Sequence, residues 1–232
     1  MNQITILKPT NYLDEYSFYN KFLFWIPRLD VFHCRLGRPP MSANDFITAF
    51  RVDYECGLRI GELANLEKRD FNLNTKLLTI REPKTGHRKG KMRSDGTFIK
   101  EMIPQVTTIL PYSIDRIEKH LLNYSSHDKV FPASRMTFWR YAKRVGLLAG
   151  LNIFEMQKQK TIDGLWTHAF RKACSKRMRD YGADRELRML KLRHAFKDAH
   201  DAYDNYDIYS LLEWEERTFN FGKQNERMVT QN

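Results

Sequence analysis

The chain has 232 residues, of which 42% are hydrophobic and 13% aromatic, and this composition excludes a disordered protein. Lys and Arg number 39 against 28 Asp and Glu, so the net charge of +11 favours a polyanionic partner, first nucleic acid and second an acidic membrane surface. No stretch approaches the ~20 apolar residues that span a bilayer and no signal peptide is recognisable, so we expect a cytoplasmic protein.

The first part of the chain is predicted to be helical. Residues 12–27 carry aromatic and apolar side chains at helical spacing, which is typical of an amphipathic helix. Ser42 followed by Asp45 predicts a capped helix that runs to about Cys56, and a further helix begins within residues 60–66.

The second part mixes one sheet with further helices. Residues 76–82 predict a strand, residues 83–86 a turn and residues 99–103 a returning strand. Helices are predicted over residues 111–124, 134–146, 168–181, 184–191 and 209–219. The expected fold is therefore mainly α with a small antiparallel β-sheet (α+β).

The positive charge is concentrated in two segments. Residues 81–100 carry seven Lys or Arg against two acids, and residues 171–193 carry nine against three. The sequence after Tyr203 is acidic instead. This pattern predicts a charged working surface followed by a segment that does not touch DNA. Candidate contacts to backbone phosphates are Arg88, Lys89, Lys91, Arg140 and Lys172.

Three cysteines, Cys34, Cys56 and Cys174, are widely spaced and odd in number. They form neither a disulfide framework nor the spacing of a metal site. We interpret them as buried or half-buried thiols in a reducing compartment.

Five short signals follow one another in a fixed order: Gly57-Leu58-Arg59-Ile60-Gly61-Glu62-Leu63, Lys84 in a basic turn, His168-Ala169-Phe170-Arg171, His194 and Tyr203. Attack on a DNA phosphodiester builds negative charge on the phosphate oxygens, and planar guanidinium groups hold that charge well. Arg59 and Arg171 are the candidates for this clamp. A spacing of three residues places His168 and Arg171 on one helix face.

The other polar residues suit the remaining steps of the same reaction. Tyr203 is the candidate nucleophile and His168 the candidate base that takes its proton. Lys84 is the candidate general acid for the leaving 5′ oxygen, and His194 the candidate donor to a phosphate oxygen. No step requires a metal or a cofactor.

Each signal also has a simpler interpretation. Arg59 can pair with Glu62 on the same helix face, and His168 can be a solvent-facing or internally bonded histidine. Lys84 can belong to a solvated loop that contacts phosphates. Tyr206 and other tyrosines lie near Tyr203.

Taken together, the ordered set resembles the catalytic residues of the tyrosine recombinase (phage integrase-like) family. The segment Cys56–Leu63 is similar to its first arginine motif, with Glu62 in a structural place, and Leu192-Arg193-His194 resembles its L-G-H. Tyr203 lies nine residues after His194, where the family has its nucleophile. The resemblance implies cleavage and rejoining of double-stranded DNA through a covalent 3′-phosphotyrosine, by a homo-oligomer, a tetramer, on DNA.

Three departures from the family pattern stand out. Arg193 replaces the usual glycine, so the turn before His194 must be built differently. His200 and Asp201 precede Tyr203 where threonines are common. About forty residues precede the catalytic region, so we expect residues 1–40 to form a short helical extension rather than a full core-binding domain.

The expected organisation is a catalytic domain over residues 41–210 and a C-terminal helix and tail over residues 211–232. An apolar stripe in the last helix either contacts a neighbouring protomer or packs on its own domain. Two other functions remain open: a DNA-binding protein on this scaffold without turnover, and a type IB topoisomerase-like enzyme that nicks and reseals one duplex.

Overall fold

A computed structural model describes residues 13–28, 41–81, 83, 88–92, 98–102, 104–155, 160–163, 168–194 and 207–220. Strands within residues 88–102 and 152–163 are described by their backbone alone. Within these parts of the chain, no helix is both long enough and apolar enough to cross a membrane.

The helices account for most of the described residues. They are α1 (Leu23–Trp25, between a π-helical turn Ser17–Phe22 and a 3-10 turn Ile26–Arg28), α2 (Ala43–Cys56), α3 (Ile60–Leu63), α4 (Ile114–Leu121, after a 3-10 turn Pro111–Ser113), α5 (Arg135–Leu148), α6 (His168–Asp180), α7 (Arg185–Lys191) and α8 (Ile208–Asn220). A 3-10 turn, Lys68–Asp70, follows α3. The predicted mainly α fold with a small antiparallel sheet is confirmed.

The strands form a three-stranded sheet and two hairpins. They are β1 (Phe71–Asn72), β2 (Leu77–Ile80), β3 (Arg88–Met92), β4 (Phe98–Met102), β5 (Gln105–Thr108), β6 (Asn152–Glu155) and β7 (Lys160–Asp163). The sheet has the order β1-β2-β5, and all its pairs are antiparallel. β3 pairs with β4, and β6 with β7.

The predicted pairing of the strand over residues 76–82, observed as β2, is wrong. Residues 99–103 were expected to return beside residues 76–82, but β4 pairs with β3, and β5 lies beside β2 with Leu78 opposite Thr107. The physical reason is that Thr107 and Thr108 are fully buried and hydrogen-bonded to Lys191, so a polar segment is satisfied next to the core. The β6–β7 hairpin was not predicted.

Local capping explains where α2 begins and ends. The Ser42 side chain accepts a hydrogen bond from the Asp45 backbone N–H, and the Asp45 carboxylate accepts one from the Ser42 backbone N–H. This capping box satisfies two donors that the first helical turn leaves open. Gly57 ends the helix in the left-handed conformation, with φ 59°.

Aromatic rings fill the core between the π-helical turn Ser17–Phe22, α2, α5 and α6. Phe18 stacks on Tyr54 with ring centroids 4.0 Å apart, and Phe46 stacks on Tyr141 at 3.8 Å. Phe170 at the start of α6 contacts Phe22 and Phe50 edge-on or tilted. Burial of these rings fixes α6 against α2.

The last helix packs against its own chain. Leu211 is fully buried against a cluster that includes Cys174, Met178 and Leu192. The Lys191 ammonium, 0% exposed, lies 2.6 Å from a carboxylate oxygen of Glu215 on α8 and also donates to Thr108. The contact with a neighbouring protomer stays a prediction.

Loss of the buried ion pair should destabilise the chain strongly. We expect Glu215→Gln to lower the free energy of unfolding by about 3–5 kcal/mol, because it leaves the Lys191 charge buried without a counter-ion. Glu216→Gln is the matched control, since Glu216 pairs with Lys76 at the surface and should cost less than about 1 kcal/mol. Urea unfolding measures both, and equal losses would contradict the prediction.

Candidate active site

Gly57 is the point where three segments meet. A Cβ atom placed on Gly57 would lie 2.6 Å from the Leu192 side chain and 3.2 Å from Cys174 Sγ. Gly57, two residues before Arg59 in the same motif, therefore lies directly against α6 and against the turn after α7. A larger residue at this position would separate the segments that carry the site.

Arg59 is held by Glu62 one helical turn further on. Arg59 Nη1 donates to Glu62 Oε1 at 2.9 Å, and the Arg59 backbone N–H donates to Oε2 at 2.8 Å. The Arg59 side chain is 21% exposed and that of Glu62 only 2%. The simpler interpretation, an Arg59–Glu62 pair, is thus part of the geometry.

Arg171 lies in the first turn of α6 and is 3% exposed. Its guanidinium donates to the backbone carbonyl oxygens of Gly57 and Leu192. These bonds use two of the five N–H donors of a guanidinium and hold its plane in a fixed orientation. His168, one turn earlier on the same helix, is exposed, and together with Arg171 it lines a cavity between α6 and α7.

The turn before His194 uses an arginine in the left-handed conformation. Arg193 has φ 53°, and its backbone N–H donates to the Leu190 carbonyl at 2.9 Å. The His194 N–H donates to the Met189 carbonyl at 2.9 Å. The expectation that this turn is built differently is therefore wrong for the backbone, because Arg193 adopts the αL conformation that a glycine would adopt.

An open cavity of about 340 Å³ lies between α6 and α7, and five of its lining residues are Lys or Arg. Its lining consists of His168, Arg171, Lys172, Ser175, Lys176, Arg179, Arg188, Leu192 and His194. Sequence reasoning missed Ser175, Lys176, Arg179 and Arg188 as site residues. The signal was present, because positions 168, 172, 175 and 179 follow helical spacing and share one face of α6.

Burial, and then the neighbouring positive charges, lower the pKa of both imidazoles below the usual value of 6.5. For His168 the causes are burial, then the positive charges of Arg171, Lys172 and Arg59. For His194 they are burial, then Arg171 and Arg59. Burial and the neighbouring Arg193 and Arg59 lower the pKa of Arg171 to about 10. At neutral pH the imidazoles are uncharged and the guanidiniums remain cationic.

The remaining predicted site residues lie elsewhere. Lys84 and Tyr203 fall outside the described residues, and Arg88, Lys89 and Lys91 lie on β3, described by backbone alone. Arg140 is exposed on α5, which packs against α3.

Cys56 and Cys174 are buried free thiols, and Cys34 falls outside the described residues. Burial raises the pKa of both described thiols, that of Cys56 to about 12. No three His, Cys, Asp or Glu side chains in the described parts of the chain lie close enough together to hold a metal ion.

Comparison with protein-family models matches residues 41–203 to the phage integrase family. The chain belongs to the phage integrase family. The matched segment starts at Met41, just before α2, and ends at Tyr203. It thus spans all five sequence signals of this integrase-family chain. Comparison with curated protein sequences gives no match.

Solved structures of recombinases and integrases share the fold. XerA recombinase is 17% identical with a TM-score of 0.54, over 90% of this chain and 65% of that one. The integrase from mycobacterium phage Brujita is 11% identical with a TM-score of 0.55, over 94% and 60%. The integrase of the Tn1549 transposon, in complex with a circular intermediate DNA, is 11% identical with a TM-score of 0.52, over 89% and 62%. This integrase-family chain thus spans slightly less than two thirds of the length of these proteins.

An excess of fixed positive charge around an open cavity predicts binding of an inorganic anion. We expect phosphate at ten times its dissociation constant to stabilise the chain by about 1.4 kcal/mol, a rise of roughly 3–6 °C in Tm. Arg171→Gln should abolish the rise. Arg144→Gln, an exposed arginine of α5 outside the cavity, should retain it. Thermal melts measure the rise in Tm, with chloride used to keep the ionic strength constant. A rise in Tm that survives in Arg171→Gln would contradict the prediction.

Proposed function

We propose that the chain is a site-specific DNA recombinase that cleaves and rejoins strands through a covalent 3′-phosphotyrosine on Tyr203. One observation carries the proposal. Arg171, His168 and His194 line one open cavity, and the positive charge of Arg59, which is not among the lining residues, acts on both imidazoles. Family membership and the order of the sequence signals add to it.

The two guanidiniums are the clamp on the scissile phosphate. Both are oriented before DNA arrives, Arg59 by the Glu62 carboxylate and Arg171 by two backbone carbonyls. A preoriented donor stabilises the charge that develops in the transition state without having to reorganise as the reaction proceeds. His194 is proposed to donate a further hydrogen bond to a non-bridging oxygen.

The proposed bond changes balance without water or a cofactor. The Tyr203 phenol oxygen bonds to phosphorus, its proton passes to His168, and the bond from phosphorus to the 5′ oxygen breaks. Lys84 gives its proton to that oxygen, which leaves as a hydroxyl. A 5′ hydroxyl reverses these steps, so the phosphotyrosine conserves the energy of the phosphodiester.

The basic stripe on α6 is proposed to hold the DNA backbone beside the scissile phosphate. Residues 168 and 179 lie 11 residues apart, which corresponds to roughly 16 Å along a helix. This length accommodates more than one phosphate of a strand. Other proposed contacts to the backbone are Arg88, Lys89, Lys91 and Arg140.

Exchange of strands joins two duplexes and needs more than one active site. We therefore propose that protomers assemble on double-stranded DNA as a homo-oligomer, a tetramer, in the cytoplasm. The apolar stripe of α8 includes Tyr209, which is 68% exposed and available for a protomer contact.

A covalent adduct is the direct test of the reaction. We expect wild-type protein and nicked suicide duplexes from the native flanking DNA to give an adduct on denaturing gels without Mg²⁺. Tyr203→Phe should give none while its Kd for DNA stays within about threefold, because the phenol oxygen makes the bond but contributes little to binding. Tyr206→Phe is the control and should still form the adduct.

The same assay separates the other two functions. Tight, salt-sensitive binding without any adduct would contradict the proposal and favour a DNA-binding protein. Relaxation of any supercoiled plasmid by a monomer would instead favour a topoisomerase-like enzyme. An adduct in Tyr203→Phe that is lost in Tyr206→Phe would move the nucleophile.

The lowered pKa of His168 predicts the pH profile of cleavage. A base works in its deprotonated form, and a pKa below 6.5 keeps that form dominant at neutral pH. We expect kcat/KM for cleavage to fall at acidic pH with a midpoint below pH 6.5 and to approach a plateau above neutral pH. His168→Gln should remove the acidic limb together with most of the activity. A midpoint above pH 6.5 in the wild type would contradict the assignment.

A further inference from the structure

Arg193 is an unusual residue for its backbone conformation. Its φ of 53° lies in the left-handed region, where glycine is favoured because a Cβ atom is strained there. The family pattern has glycine at this position, and that residue would relieve the strain. Retention of a long side chain at a strained position suggests that the side chain has a role of its own.

The Arg193 guanidinium is buried and bonded to groups around Gly57. The residue is 5% exposed, and Nη2 donates to Glu62 Oε2 at 2.7 Å and to the Gly57 carbonyl at 3.3 Å. Nη1 donates to the carbonyls of Cys56 at 3.3 Å and Lys191 at 3.2 Å. These contacts join the end of α2, α3 and the end of α7.

Arg193 donates hydrogen bonds to the same acceptors that orient Arg59 and Arg171, the two arginines proposed to hold the scissile phosphate. Glu62 accepts from Arg193 on one oxygen and from the Arg59 side chain on the other. The Gly57 carbonyl accepts from both Arg193 and Arg171. His194 is the next residue in the chain. One buried side chain thus contacts the acceptors that orient two guanidiniums and anchors the turn that carries an imidazole.

The charge balance around Arg193 points the same way. Burial, then Glu62, raises the pKa of the fully buried Asp53 carboxyl well above its usual value, so the charged form of Asp53 is disfavoured. Burial would also raise the pKa of Glu62, but Arg193 and Arg59 outweigh it and keep Glu62 ionised. Arg193 and Arg59 thus share one ionised carboxylate, so the positive charge of the two guanidiniums exceeds the negative charge of Glu62.

We propose that Arg193 is a positioning residue, which holds Glu62 and the Gly57 carbonyl so that Arg59 and Arg171 face the scissile phosphate. The role rests on the proposed function, and Arg193 itself touches neither DNA nor the reacting atoms. Without it, Glu62 would draw the Arg59 guanidinium inward, and the Gly57 carbonyl would lose one of its two donors.

The test is single-turnover cleavage of the nicked suicide duplex by Arg193→Met. Methionine keeps the length of the side chain but lacks its charge and its donors. We expect cleavage about 100-fold slower, the cost of misplacing catalytic groups by about 1 Å. The Kd for DNA should change less than about threefold, because a buried guanidinium contacts no phosphate. All rates are taken well below the Tm of each variant.

A matched variant separates positioning from general destabilisation. Ile117→Ala removes a buried side chain of α4, away from the site, and should lower Tm while cleaving at the wild-type rate. Arg193→Gly relieves the backbone strain and opens a space for a free guanidinium ion. Millimolar guanidinium chloride should restore cleavage in Arg193→Gly at least tenfold relative to equal NaCl. Wild-type cleavage by Arg193→Met, or equal slowing in Ile117→Ala, would overturn the proposal.

The affinity for inorganic phosphate tests the positioning role of Arg193 even if no covalent adduct forms. Absence of an adduct in the wild type would defeat the proposed function, but it leaves the orientation of Arg59 and Arg171 measurable. In thermal melts, Arg193→Met should weaken the binding of inorganic phosphate at least tenfold, because both guanidiniums lose a fixed orientation. Unchanged phosphate affinity in Arg193→Met would overturn the positioning role.

Discussion

The close approach of three segments at Gly57 is the constraint on which the rest of the site depends. The left-handed turn ends α2, and the missing side chain lets Leu192 and Cys174 come within contact distance of the backbone. The carbonyl of the same residue accepts hydrogen bonds from Arg171 and Arg193. One small residue thus sets both the spacing of the helices and the direction of the guanidiniums, because close packing leaves no room for another arrangement.

The candidate site contains more positive than negative charge, an arrangement that does not favour stability. Three guanidiniums, of Arg59, Arg171 and Arg193, lie around the ionised carboxylate of Glu62 and the carboxyl of Asp53, whose charged form is disfavoured by burial. Buried charges cost desolvation energy, and unmatched positive charge adds repulsion. The stacked aromatic core between α2 and α6 offsets this cost and keeps the helices fixed. The result is a preorganised field suited to an anion.

Local sequence signals predicted the helices well, but they did not predict which distant strands pair with each other. The Ser42–Asp45 box and the Asp184 cap mark helix starts because each satisfies backbone donors within three residues. The π-helical turn Ser17–Phe22 was predicted only as part of a helix, because apolar spacing in the sequence does not distinguish the two windings. The strand beside β2 was misassigned because its buried threonines find their partners far away in the sequence.

The sequence by itself determined the mainly α fold class, the capped helices and the order of the family's residue types, all of which rest on contacts within a few residues or on identity alone. Tertiary structure decided which strand pairs with β2, that the Arg193 side chain points into the interior, and that Arg179 and Arg188 share a cavity with His168. The physical reason is that burial and hydrogen-bond partners of these residues come from segments that only folding brings together. The spacing of residues in the sequence predicts which face of its own helix a residue lies on, but not which segments that face contacts in the folded chain.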